Sequence, residues 1–185
     1  MEHIEWCPKG YNEGGLSGQR IAIAGHSHSS DGSDHVDATC ECLTNVISGD
    51  WSIAFFNAIP RYFGFDDQSA FWSNVMFFNF LPTMVGTRDE KFGYGRPDQL
   101  NAGRTRVLRL LDEHRPDKMF VFSTKGWREF PPTVEDITEK VPQPPYYWHT
   151  YQTHSGHQVR AVGLRHPQGA DMKKMSAQVH SLMSS

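Results

Sequence analysis

The sequence predicts an α/β protein: a three-layer α/β/α sandwich with a central, mostly parallel four-stranded sheet plus a C-terminal hairpin. Short apolar runs alternate with longer amphipathic stretches, which is typical of a sheet covered by helices on both faces. The runs lie at about 20–24, 75–80 and 119–122. Two further extended segments, 147–153 and 157–164, are joined around Ser155-Gly156 and predict the hairpin. The chain has 185 residues, so we expect one domain, residues 1–185.

The helices are predicted from apolar spacing and from residues that favour helix ends. Ser33 or Asp34 is a candidate N-cap for a helix that ends at Gly49, and a helical piece over 51–63 is expected to stop near Pro60. A longer helix begins at Pro97-Asp98. Its predicted buried stripe is Leu100, Val107, Leu108 and Leu111, with Arg104, Arg106 and Arg109 at the surface. A final helix carries Met172, Met175, Val179 and Leu182.

Three stretches lack any periodicity and are predicted as loops. They are residues 5–19, residues 83–97 and the proline-rich residues 131–146. A loop as long as 83–97 inside a compact domain is often functional.

Composition excludes several classes of protein. No apolar run approaches the roughly 20 residues that a membrane span needs, and the acidic amino terminus does not resemble a signal peptide. We therefore expect a cytoplasmic protein with no membrane partner. The spacing of Cys40 and Cys42 is not that of a zinc finger, and free thiols are expected. The net charge of −3 argues against a protein that coats nucleic acid nonspecifically, but a local basic face remains compatible with it.

The stretch that follows the first strand is the strongest candidate for a functional site. The apolar run ends at Gly25, and small polar residues follow as far as Asp31. Ligands in open α/β sheets bind at the carboxyl ends of strands. The segment Gly25–Asp31 is therefore expected to hold either a metal or a substrate.

A metal-dependent hydrolase is one hypothesis for this segment. His26 and His28 are separated by one residue, and both can reach one metal at a strand end. With Asp31, Asp34 and His35 they resemble the His-x-His-x-Asp-His pattern of metallo-β-lactamase-type hydrolases, although Asp31 lies one position too late. The nearest downstream ligands are His114 and His149.

The whole chain resembles the uracil-DNA glycosylase superfamily, in the divergent branch whose first motif reads approximately Gly-Glu-Ser-His-Tyr. Four blocks carry the resemblance in the expected order. They are Trp6–Tyr11 leading into Gly25-His-Ser-His-Ser29, Phe71–Pro82 with Asn79, Arg115-Pro-Asp-Lys followed by Val121–Trp127, and Gly163-Leu-Arg-His166-Pro-Gln-Gly169. The resemblance implies a metal-free, cofactor-free DNA glycosylase whose partner is DNA, with no obligate protein partner.

The same resemblance assigns catalytic roles to individual residues. His166 is the expected donor to the departing base, in the manner of an oxyanion-hole donor. Relatives carry a carboxylate or amide just after Gly25, whereas this chain has His26 and Ser27. The catalytic acid is therefore expected to be Asp31 or Asp34, and His26 is an alternative residue for positioning water.

Base recognition is expected to involve Asn79, which reads the Watson–Crick edge of a flipped base in the resembled family. Ser27, His28 and Ser29 are expected to contact the base. Phe78 is one candidate for stacking on the base. The other aromatic candidates are Phe55, Phe56 and Tyr94.

The resemblance also suggests where DNA binds and which base is removed. Arg165, Gln168, Met172 and Lys173 are expected to contact DNA, and Met172 is the one sizeable apolar wedge candidate. The best-known uracil enzymes have tyrosine at the position of Ser29, which excludes C5 substituents. We therefore expect a C5-modified pyrimidine such as viral modified cytosine, with uracil second, in antiviral defence or repair. A catalytically inactive DNA-binding relative is a further alternative.

Overall fold

The computed structural model describes residues 1–28, 34–85, 93–134, 138–140 and 147–185. These residues form one six-stranded sheet. In chain order its strands are β1 (Ile21–Gly25), β2 (Met76–Asn79), β3 (Lys118–Val121), β4 (Thr138–Lys140), β5 (Tyr147–Gln152) and β6 (Gln158–Gly163). Their order across the sheet is β2-β1-β3-β6-β5-β4. The helices are α1 (Lys9–Asn12), α2 (Ala38–Ser48), α3 (Ala54–Tyr62), α4 (Gln68–Trp72), α5 (Pro97–His114), α6 (Thr124–Trp127) and α7 (Met172–Ser184).

The predicted α/β sandwich is confirmed. Strands β2, β1, β3 and β6 are parallel, and β5 and β4 continue the sheet in antiparallel orientation. The predicted hairpin is β5–β6, and its second strand is also the fourth parallel strand. The strand count differs from the prediction because β4 lies within 131–146, which was predicted as irregular.

The sheet buries both of its faces because successive side chains of a parallel strand point to opposite sides. Ile21 and Ile23 belong to one core with α2, α3, α4 and α7. Ala22 and Ala24 belong to a second core, into which α5 packs with Val107, Leu110 and Leu111. This arrangement gives the three layers.

The sheet order creates a crevice at one edge. After β1 the chain forms β2 on one side of β1, and it later forms β3 on the other side of β1. In such sheets the carboxyl ends next to this reversal form the usual ligand site. The register pairs Gly25 with Asn79, so the polar ends of β1 and β2 lie side by side.

Several local predictions were wrong. The α5 stripe is shifted, because Leu108 is 45% exposed whereas the Arg106 side chain is buried against Glu2 and the carbonyl of His3. Helix α2 begins after Asp37, which lies beyond the predicted caps. Within the lead-in loop, residues 9–12 form the short helix α1.

Other helix boundaries agree with the prediction. Gly49 ends α2 in the left-handed conformation, with φ of 85°. Pro60 lies inside α3, which ends two residues later at Tyr62. Among the helices of the described residues, none combines the length and apolar character required to cross a membrane.

Candidate active site

A cavity of about 880 Å³ lies at the carboxyl ends of the parallel strands. Its walls come from the segment after β1, the end of β2, the residues after β3 and β6, and helices α2 and α3. The volume is in the upper part of the range of roughly 300–1,000 Å³ that is usual for small-molecule sites. The predicted residues His26, Ser27, His28, Asn79, His166 and Gln168 all line it.

Asn79 presents a buried amide to this cavity. The residue is 4% exposed, and its Nδ2 has no hydrogen-bond partner among the residues that the structure describes. Its Oδ1 passes over Gly25, so closely that a Cβ at Gly25 would lie 2.3 Å from it. A buried amide donor without a partner is costly. The arrangement therefore favours a ligand that accepts a hydrogen bond from Asn79.

His166 follows β6, and its imidazole tautomer can be read from its backbone contact. The N–H of Gln168 donates to Nδ1 at 3.1 Å, so the proton of the neutral ring must lie on Nε2. Burial lowers the pKa of His166 below the ordinary histidine value, which keeps the ring neutral near pH 7. His166 therefore offers the cavity a neutral N–H donor.

His26 is the second imidazole in the cavity wall. Neither ring nitrogen has a hydrogen-bond partner of normal geometry, and the ring stacks on Phe80 with centroids 6.1 Å apart. Burial lowers its pKa, and the backbone of Tyr94 and Gly93 acts more weakly in the opposite direction. A neutral, unpartnered imidazole can accept a proton from a bound water or donate one to a ligand.

The side chains of His28 and Asp34 already have hydrogen-bond partners within the protein. His28 Nε2 lies 3.0 Å from Thr39 Oγ1, and burial lowers its pKa to about 4. Asp34 pairs with the buried His3 at 2.5 Å and accepts the N–H of Met84 at 3.3 Å. Asp34 does not line the cavity, whereas His28 does. The structure therefore does not bring Asp34 together with Asn79 and His166.

The aromatic wall of the cavity differs from the predicted one. Phe55 and Phe56 of α3 line it together with Phe77, and Phe55 lies against His166 with ring centroids 5.4 Å apart. Phe78 is fully buried in the core on the opposite face of the sheet. It cannot stack on a ligand in this cavity, because neighbouring residues of a strand point to opposite faces.

The residues predicted to contact DNA fall into two places. Gln168 lines the cavity, and Arg165, which directly precedes His166 in the chain, is exposed. Met172, 40% exposed, lies with Lys173 in a separate shallow groove of about 480 Å³ that also includes Arg61. Met172 is therefore a surface residue at the start of α7 and not part of the core.

Glu41 and Ser123 are polar cavity residues that sequence reasoning missed, as it missed the aromatic Phe77. Glu41 lies on α2, lines the cavity and pairs with His35 at 3.2 Å; it is the acidic side chain among the described lining residues. Ser123 and Lys125 follow β3, and the Lys125 amine lies over the ring of Tyr94. Position after a strand end was the available signal for Ser123. No such signal in the sequence marks Glu41, which lies within a helix.

The remaining sequence predictions concern Asp31, Ser29 and a metal site that includes His26 and His28. Asp31 and Ser29 lie outside the described residues. Within the described residues, the set of His, Cys, Asp and Glu side chains close enough to share one ion is Glu5, Glu113 and His114, which does not include His26 or His28.

The fold and the cavity together define an α/β sandwich protein with a candidate ligand site at the carboxyl ends of its parallel strands. No protein-family model matches the chain, and no curated protein matches it.

Proposed function

We propose that the protein is a DNA glycosylase that flips a pyrimidine base into this cavity and hydrolyses its N-glycosidic bond. One observation carries the proposal. Asn79 and His166 line the same cavity, the buried Nδ2 of Asn79 has no partner within the described residues, and the neutral His166 ring carries its N–H at Nε2. A pyrimidine carries donors and acceptors on its edge and therefore suits two such groups.

The chemistry assigned to these residues follows from the charge that develops during bond cleavage. The departing base becomes negative at its ring oxygen and nitrogen. A neutral imidazole N–H can stabilise that charge, as an oxyanion-hole donor does. Asn79 selects the base through its edge, and the partly exposed Phe55 offers a face that offsets the cost of unstacking, which is a few kcal/mol.

The sugar side of the reaction needs a negative group or a base that activates water. Glu41 supports this role because it is a carboxylate in the cavity wall, and His26 supports it as an imidazole in the same wall whose pKa is lowered by burial. Asp31 stays a candidate from the sequence. Asp34 is a weaker candidate because its carboxylate is already paired with His3 and with the Met84 N–H.

The volume of the cavity favours a base larger than a plain pyrimidine. A single six-membered ring occupies a small part of about 880 Å³. We therefore propose a C5-substituted pyrimidine, such as a modified cytosine of viral DNA, as the substrate, and an antiviral or repair role. The proposed location of the protein is the cytoplasm.

Base release from defined duplexes tests the proposal. Duplexes carrying uracil, a thymine mismatch or a bulky C5-modified cytosine are incubated with the protein, abasic sites are cleaved with alkali, and the released base is identified by mass. We expect release of the bulky base, and its loss in Asn79→Ala and His166→Ala. His154→Ala is the matched control, since His154 lies in the β5–β6 turn, and it should retain activity.

The outcomes separate the alternatives. Release of uracil alone would end the proposal of an enlarged base site. Binding of DNA without release of any base would identify an inactive relative. Hydrolysis that requires an added divalent metal would favour the metal-dependent hydrolase.

A further inference from the structure

A second group of reactive side chains lies outside the cavity. Its members are Cys7, His114 and Glu5. His114 ends α5, shortly before the amino end of β3. Cys7 follows Trp6, whose backbone pairs with Phe77 of β2. None of the three lines the cavity, so the proposed glycosylase chemistry does not use them.

The three side chains are connected in the order nucleophile, imidazole, carboxylate. Cys7 Sγ lies 3.5 Å from His114 Nδ1, and His114 Nε2 lies 2.8 Å from Glu5 Oε1. The hydroxyl of Tyr11 donates to the carbonyl of His114 at 3.1 Å, which helps to fix the imidazole. A nucleophile beside an imidazole that a third group orients is the arrangement of an activated cysteine.

The charge on the imidazole strengthens this interpretation. The hydrogen bond with Cys7 and then that with Glu5 raise the pKa of His114 to about 9. The hydrogen bond from His114 lowers the pKa of Glu5 to about 2. Both ring nitrogens therefore carry protons at neutral pH, and one N–H points to the sulfur. Cys7 Sγ therefore lies 3.5 Å from a charged N–H donor, the contact that an activated cysteine makes with its imidazole.

The other two cysteines have different surroundings. Burial raises the pKa of Cys40, whose sulfur donates to the backbone carbonyl of Glu5. Burial raises the pKa of Cys42 to about 12. Cys40 is about as accessible as Cys7, since both are partly buried, and so provides an internal control.

We propose that Cys7, paired with His114 and oriented through Glu5, is a nucleophilic cysteine that is oxidised by hydroperoxides. The thiolate attacks the terminal oxygen of the hydroperoxide, an S–O bond forms, and the O–O bond breaks. The departing alkoxide takes the Nδ1 proton of His114 and leaves as an alcohol, or as water when the oxidant is hydrogen peroxide. Sulfur is oxidised to a sulfenic acid, and the peroxide is reduced.

Labelling of the native protein tests the activation of the thiol. The protein is treated with iodoacetamide, and the rate at each cysteine is followed by peptide mass spectrometry. We expect Cys7 to react at least about tenfold faster than Cys40. His114→Gln should remove most of this difference without raising the rate at Cys40. Equal rates in the wild type, or an unchanged Cys7 rate in His114→Gln, would overturn the proposal.

Two further measurements complete the test. After brief treatment with hydrogen peroxide, dimedone should trap a sulfenic acid at Cys7 and not at Cys40; its absence at Cys7 would also overturn the proposal. Glu5→Gln should slow labelling at Cys7 while the buried Cys42, which Glu5 does not influence, stays protected. A rise in labelling at Cys42 would mean that Glu5 acts only by holding the fold together, against the positioning role. The comparison of labelling rates at Cys7 and Cys40 in the wild-type protein tests the proposal even if a variant fails to fold.

Discussion

Replacing Gly25 by alanine is expected to displace the amide of Asn79. The added Cβ would lie 2.3 Å from Asn79 Oδ1 and 3.4 Å from Phe77 Cζ. Ordinary contacts of a Cβ begin near 3.4 Å, so the amide oxygen must retreat by about 1 Å while the phenyl ring can stay. Gly25 is not among the residues with positive φ, so its backbone accepts alanine. The substitution therefore acts on the amide alone.

The displacement should affect activity more than stability. Asn79 borders an open cavity and can turn away at the cost of an unfavourable rotamer, about 0.5–1.5 kcal/mol. A misplacement of about 1 Å at a reacting centre costs roughly 100-fold in rate, which corresponds to about 2.7 kcal/mol in the barrier. We expect a loss of base release of that order and a smaller, measurable loss of about 0.5–1.5 kcal/mol in urea unfolding.

The double variant Gly25→Ala/Asn79→Ala supplies the control. Without the amide the new methyl group meets no obstacle, and Gly→Ala at a compatible position stabilises by about 0.4–1 kcal/mol. The cost of Gly25→Ala in urea unfolding should therefore disappear or change sign in the Asn79→Ala background. The same cost in both backgrounds, or full base release by Gly25→Ala, would refute the assigned contact.

Three further predictions follow from the same structure. His166→Ala should lower base release by about 10²- to 10³-fold. Burial lowers the pKa of His166, so the activity of the wild-type protein should decline only at pH values below the ordinary histidine range. Phe78→Ala should cost about 3–5 kcal/mol in urea unfolding, while Phe55→Ala costs less but lowers base release per folded molecule. The Glu5–His114 pair should stabilise the fold fully between about pH 4.5 and 6.5; the folded pKa of His114 is raised to about 9 and that of Glu5 lowered to about 2, so this stability is lost as pH rises through 9 or falls through 2. Urea midpoints measured across pH test this, and Glu5→Gln should remove about 1.5–3 kcal/mol.

The parallel strands were the part of the fold most accessible from sequence. A parallel strand covered on both faces must be apolar throughout, as Ile21–Ala24 is, and its end is marked by the change to polar residues. The end of α2 at Gly49 was equally predictable, because a glycine after an amphipathic run favours the left-handed conformation that ends a helix. Such local signals do not depend on which elements become neighbours.

The errors arose where a distant contact decides the structure. Arg106 was placed at the surface because an arginine is costly to bury, yet it is 2% exposed. Glu2 and the carbonyl of His3 accept its hydrogen bonds, and they come from the other end of the chain. Strand β4 similarly depends on its pairing with β5 and not on its own composition.

The candidate site shows how far periodicity alone could have led. Asn79 was predicted to face the ligand, and in a strand the residue two positions earlier shares that face. Phe77, not Phe78, was therefore the stacking candidate that this reasoning required, and the register of β1 against β2 places Phe77 beside Ile23 on the cavity side. Glu41 offered no comparable signal. Its position in the cavity depends on how α2 packs across the sheet, and that packing is set by apolar residues such as Leu43 and not by the carboxylate itself.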